Sequence, residues 1–201
     1  MQILHPFRGS IQEYAQVLVD PNRYRPDHCP LCHASDPLRA HGFYCRTLVG
    51  VSYDETLRVR RYLCLLCKRT VSLLPEFALP YLRCSVGVIG LFLVARLLHG
   101  CTLTQAASAA SQPNMPYQRG QFWVRRFRCQ AKALCTALTS LTPVVQAGDF
   151  LTRALAMLKA IGWIPAHRFL FAELRMHLLG WPHFLIPHGF RVSVSPRSSS
   201  S

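Results

Sequence analysis

Two Cys-x-x-Cys pairs constrain this chain more than any other feature: Cys29-Pro-Leu-Cys32 and Cys64-Leu-Leu-Cys67. Two thiolates at that spacing can bind one cation from a tight turn, and two such turns complete a tetrahedral four-thiolate site. Thirty-one residues separate the pairs, enough for a hairpin that returns the chain to the first turn. So small a module lacks a sufficient core, and metal binding would supply much of its folding free energy. The expectation is one structural Zn2+ held by Cys29, Cys32, Cys64 and Cys67. Four protein ligands fill its coordination sphere, so the site is not catalytic. His28, His33, His41 and Cys45 are the substitute ligands, each read first as a surface or supporting residue. The position after each pair, often glycine in such turns, holds His33 and Lys68. Cys45, Cys84, Cys101, Cys129 and Cys135 stand singly and are expected as small buried apolar side chains.

The surrounding pattern divides the chain. Residues 1–26 read as an amino-terminal extension, with an amphipathic stretch from Ile11 to Val19 ended by Pro21 and Pro26. Residues 27–83 read as a small β module, because Leu57-Arg-Val-Arg-Arg-Tyr-Leu alternates apolar and basic side chains with period two. From 84 to 140 the period lengthens to that of helices. Val86 to Leu98 is apolar and stopped by Gly100; Thr102 and Gln105 have capping-box spacing; a further helix runs from Pro116 to about Thr139. In 141–190, Asp149 is placed to cap a helix from Phe150 to Ile161, and another is expected from Pro165 to about Leu179. The serine-rich end, 191–201, is expected to be disordered. The fold class is α+β: a small amino-terminal β zinc ribbon followed by a mainly helical, helix-turn-helix region.

Charge points to the partner. Twenty-three Lys and Arg stand against nine Asp and Glu, a formal charge of +14. Such an excess favours phosphate, because neutralising it releases counterions. The first residues have no signal-peptide pattern, and the apolar run at Val86 to Ala95 is too short to span a bilayer. The expected partner is therefore double-stranded DNA and not a membrane, in the cytoplasm and associated with the nucleoid. Paired cysteines in that reducing compartment mean metal, not disulfides.

The helix from Pro116 has two faces. Gly120, Trp123, Phe127, Ala131, Leu134 and Leu138 recur at spacings of three and four and can pack on the preceding helices. Gln118, Gln121, Arg125, Arg128 and Lys132 share another face. Gln and Arg are the side chains that read adenine and guanine edges bidentately, and Lys132 would meet phosphate. Arg119 lies at the helix start, the end that enters the major groove in a helix-turn-helix. In the β module Arg58, Arg60, Arg61, Lys68 and Arg69 would add phosphate contacts, with a solvated strand face as the competing reading.

Several stretches together suggest a family. They are Cys29-Pro-Leu-Cys32, His41-Gly-Phe-Tyr-Cys-Arg46, Arg60-Arg-Tyr-Leu-Cys64-Leu-Leu-Cys67-Lys-Arg-Thr70 and Leu73-Leu-Pro-Glu-Phe-Ala-Leu-Pro80. They resemble the amino-terminal zinc ribbon of transposase-associated proteins from bacterial insertion elements, in particular the DUF6431 group. The resemblance covers residues 27 to 83 and continues more loosely through the following helices. It implies DNA binding in a mobile-element context.

Catalysis is not expected. After Glu76 the only acidic residues are Asp149 and Glu173, too few for the carboxylate cluster of two-metal DNA cleavage. The expected role is accessory, regulatory or that of a truncated transposase. The rivals are a partial or degenerate transposase enzyme and a zinc-ribbon protein-interaction adaptor. The apolar region from Phe150 to Phe190 reads as helical packing, with self-association or a transposase contact as the sharper idea. His177, His183 and His188 read as structural or surface residues.

Overall fold

The computed structural model describes residues 1–180 apart from 6, 8, 10, 21, 53 and 144–147. The expectations for His183, His188 and the serine-rich end therefore lie outside the described residues. In chain order the elements are β1 (Gln2–His5), α1 (Ile11–Val17), β2 (Leu38–Val49), β3 (Asp54–Cys64), β4 (Thr70–Pro75), α2 (Val86–Leu97), α3 (Leu103–Ala109), α4 (Tyr117–Leu138), α5 (Phe150–Ile161) and α6 (Trp163–Ala172). An α+β architecture results, with the strands gathered in the first 75 residues and the helices after them.

The strands form one mixed sheet in the order β1-β4-β3-β2. β2, β3 and β4 are antiparallel neighbours, and β1 joins β4 in parallel. The alternation in β3 is a strand, as its period required. β1 is the strand no period revealed: four residues inside the stretch read as an extension. Its Ile3 and Leu4 pair with Leu73 and Leu74 of β4. Successive residues face opposite ways in a strand, so these two positions feed two different cores. Ile3 and Leu73 pack with Leu38, Tyr62, Val71, Cys29 and Cys64. Leu4 and Leu74 pack with Tyr14 and Leu18 of the α1 region and with Leu48, Leu57 and Val59. The Tyr14 hydroxyl fixes α1 on the sheet by donating to the Leu73 carbonyl at 2.9 Å.

The helices share a third core. It includes Ile89 and Phe92 of α2, Trp123, Phe127 and Leu134 of α4, Leu155 and Leu158 of α5, and Leu170 of α6. Local capping chemistry sets the starts. Ser85 Oγ accepts from Val88 N, Thr102 and Gln105 form a reciprocal capping box, and Asp149 accepts from Thr152 N. Pro116 stands just before α4, as its cap residue, not in its first turn.

Two expectations need correcting. The last described helix begins at Trp163 and ends at Ala172, not from Pro165 to Leu179. Pro165 is harmless in a first turn, where backbone N–H groups have no intrahelical acceptor. The end is set where Arg175 takes a left-handed conformation (φ 54°) and Met176 N donates back to Leu170 O. Among the single cysteines, Cys84 and Cys135 are buried, but Cys45 and Cys129 are exposed. Cys45 lies on β2, one of the sheet's two edge strands, and Cys129 follows Arg128 on the outer side of α4.

α6 ties the two halves together. Phe171 enters the core shared with Leu4 and Tyr14. Arg168 pairs with the buried Glu76 carboxylate at 3.0 Å. Beyond the helix, His177 Nε2 meets the Pro80 carbonyl at 3.3 Å.

Candidate metal centre and cationic face

The two cysteine turns have the same backbone plan. Cys29 N donates to Ala34 O and His33 N to Cys29 O; correspondingly, Cys64 N donates to Arg69 O and Lys68 N to Cys64 O. Each turn also aims a backbone N–H at its leading sulfur: Leu31 N to Cys29 Sγ, and Cys67 N to Cys64 Sγ. The residue after each pair is left-handed, His33 at φ 60° and Lys68 at φ 57°. That explains why glycine suits these positions, since it alone carries no Cβ penalty there.

β2 and β3 bring the turns together. Leu38, just after the first turn, pairs with Cys64 at the start of the second. The four sulfurs lie within 4.8 Å of one another, with Cys29–Cys67 at 3.8 Å and Cys32–Cys64 at 3.6 Å. A tetrahedron with metal–sulfur bonds of about 2.3 Å has edges of about 3.8 Å. All four thiols are free, and the group fits a single thiophilic cation. His28, His33, His41 and Cys45 are all exposed and outside this cluster.

Burial and hydrogen bonding shift the thiols in opposite directions. Burial pushes Cys29 up to about 12. Cys64 is also burdened by burial, but N–H donors from Cys67 and Leu66 and the neighbouring thiols outweigh it and bring it to about 7. A cation would replace this uneven protonation by four thiolates. Cys29 and Cys64 are buried, Cys67 is half-buried and Cys32 is exposed, so the cluster is closed on the sheet side and open on one edge.

The arginines proposed for phosphate divide. Arg58 and Arg69 are exposed and Arg61 is half-buried. Arg60 does not belong with them: only 6% exposed, it donates to Leu18 O and its guanidinium lies 3.8 Å from the Phe43 ring centre. α1 covers it, and it serves as an internal tie between helix and sheet.

On α4 the buried residues are Gly120, Trp123, Phe127, Ala131, Leu134, Cys135 and Leu138, so the apolar face is the one its periodicity required. Gln118, Arg119, Gln121, Arg125, Arg128 and Lys132 are all exposed. Four of them, Gln118, Gln121, Arg125 and Arg128, line one trough of about 650 Å³. Arg119 is turned the other way, toward the Cys84 thiol, which burial raises and Arg119 partly lowers. Lys132 sits over the Phe150 ring at 5.9 Å. Arg96 of α2, which sequence reasoning missed, joins the same trough. Its only signal was a lone cation at the end of an apolar helix.

Asp149 and Glu173 sit at helix ends. Both Asp149 carboxylate oxygens accept from Thr152, its N–H and its hydroxyl, which holds the carboxyl below its ordinary range. Glu173 closes α6. No protein-family model, curated protein or solved structure matches the chain.

Proposed function

We propose that this chain is a zinc-ribbon, helix-turn-helix DNA-binding protein serving a bacterial insertion element, in an accessory, regulatory or truncated-transposase role. The observation that carries it is the exposed flank of α4 on which Gln118, Gln121, Arg125 and Arg128 line one trough, with Arg96 of α2 beside them and no carboxylate in the lining. Gln and Arg are the groups that hydrogen-bond base edges and phosphates. The formal charge of +14 supplies the long-range attraction. α3 and α4 supply the two helices of the motif, although residues 110–116 between them form a longer turn than the usual three to four residues. Zn2+ on the four cysteines fixes the two turns and keeps Arg58 and Arg69 in place for phosphate. It supplies no chemistry, since its coordination is complete.

An electrophoretic shift at low salt tests this, comparing the DNA that flanks the protein's own gene with random duplex. The expected result is tighter binding to the flanking DNA. Arg125→Ala and Arg128→Ala should each cost about 1–3 kcal/mol if they read a base, or lower the salt slope by about one if they meet phosphate. Equal, weak binding to both duplexes contradicts the specificity claim.

A second reading, a protein-interaction adaptor, draws on Leu31, Leu65 and Leu66. These stand 41%, 45% and 69% exposed on the two cysteine turns. Absence of duplex affinity at low salt, together with loss of a partner on Leu66→Ser, would favour it.

A further inference from the structure

The flank of α4 that carries the proposed DNA contacts is concave. Here α4, the end of α2 (Arg96) and the start of α3 (Leu103) enclose a trough of about 650 Å³. That volume falls in the range, roughly 300–1,000 Å³, of pockets that take small-molecule-sized groups. An unstacked nucleotide is a group of a size that such a trough can take.

The lining sorts by chemistry. The floor is apolar, with Leu103, Phe122 and Val124. Tyr117, 59% exposed, adds a ring at the helix start. Gln118 and Gln121 offer amides that both donate and accept. Three guanidinium groups, Arg96, Arg125 and Arg128, contribute positive charge with no carboxylate among the lining residues. Arg96 is held in place by one bond, Nη1 to the Cys101 carbonyl at 3.0 Å, while its Nε is buried without a partner. An occupant that satisfies this set is flat on one part, polar at its edge and anionic on another part. A nucleotide has that combination: aromatic faces for stacking, base edges for the amides, and a phosphate for the guanidiniums.

We infer that the α4 trough takes an unpaired nucleotide of a DNA strand, so that the protein prefers single-stranded or locally opened DNA over intact duplex. The inference rests on the nucleic-acid reading of α4 and specifies the state of the strand that it engages. Tyr117 is the stacking group, and Arg96 is the phosphate contact that does not lie on α4.

The test is fluorescence anisotropy with the full chain at low salt. The probes are a fluorescein-labelled twelve-nucleotide thymine strand, the corresponding duplex and unlabelled dTMP. The expected result is single-strand binding at least about fivefold tighter than duplex binding. Tyr117→Ala, at an exposed position that leaves the core intact, should weaken the single strand by about tenfold and change duplex binding less than about twofold. Arg96→Gln should also weaken the single strand, and Tyr117→Ala is the variant that separates the two strand states. Helical circular dichroism matching the unsubstituted chain establishes that both variants are folded. Duplex binding as tight as single-strand binding, with Tyr117→Ala affecting neither or both equally, overturns this inference and leaves the duplex reading standing. Displacement of the strand by dTMP at comparable concentration overturns the strand assignment in favour of a free nucleotide. No binding of either DNA overturns both readings together.

Discussion

Two buried histidines show what single residues contribute. The His177 ring accepts from Leu179 N at Nδ1 and faces the Pro80 carbonyl with Nε2, an arrangement that fits the neutral ring with its proton on Nε2. Burial, assisted by Arg126 and opposed by the Pro80 bond, holds His177 down at about 4. His167 is fully buried with neither nitrogen hydrogen-bonded, and burial, with His177 beside it, brings it to about 3. Unfolded, both rings take up protons near 6.5. Because the unfolded state binds more protons below that value, their contribution is complete above about pH 6.5 and is lost as pH falls toward 4 and 3. The urea midpoint should therefore drop across that window. His167→Leu should flatten the drop, because it removes one of the two rings that bind a proton in the unfolded state and not in the folded one. An unchanged slope in that variant would contradict the assignment. At this scale the sequence was legible where chemistry is local. Four cysteines at ligand spacing find each other because the spacing itself is the ligand geometry. Arg60 was misread because its burial comes from residues distant in sequence, the Leu18 carbonyl and the Phe43 ring.

At the scale of elements, the approach of α6 to α2 depends on a missing side chain. A Cβ on Gly90 would stand 2.7 Å from the Trp163 ring. Gly90→Ala should therefore destabilise the helical half by about 1–3 kcal/mol through overpacking, despite alanine's better helix propensity. A thermal shift in the stabilising direction would show that the ring has room to move. The tie between α6 and the sheet is the Arg168–Glu76 pair, whose carboxylate is buried while the guanidinium is partly exposed. Arg168→Ala leaves that carboxylate without its cation and should cost about 1–3 kcal/mol in denaturant unfolding. Helix faces and caps were readable in advance, since Thr102, Gln105 and Asp149 act within three residues of themselves. β1 was not, because its four residues become a strand only against β4, some seventy residues away. The trough was equally hidden, since α2 and α3 must fold against α4 before Arg96 and Leu103 can border it.

At the scale of the whole molecule, a sheet fastened at one end by four cysteines is joined to a helical core by α6 and by the hairpin β2–β3. That hairpin reaches the segments that flank the helices: Val49 N donates to Arg83 O, just before α2, and Gln112 Nε2, just after α3, donates to Gly50 O. The cysteine cluster and the α4 flank are thus parts of one connected scaffold, and losing the first should weaken the second without any direct contact to DNA. Among the described residues no helix is long and apolar enough to cross a membrane. One zinc ion on the four sulfurs would hold the sheet together. Metal analysis of the purified chain beside its Cys64→Ser variant tests it most directly. One zinc per chain is expected in the first, and in the second a loss of bound zinc together with unfolding of residues 27–80. A chain that carries no zinc, or a Cys64→Ser variant that keeps one zinc and stays folded, would contradict it.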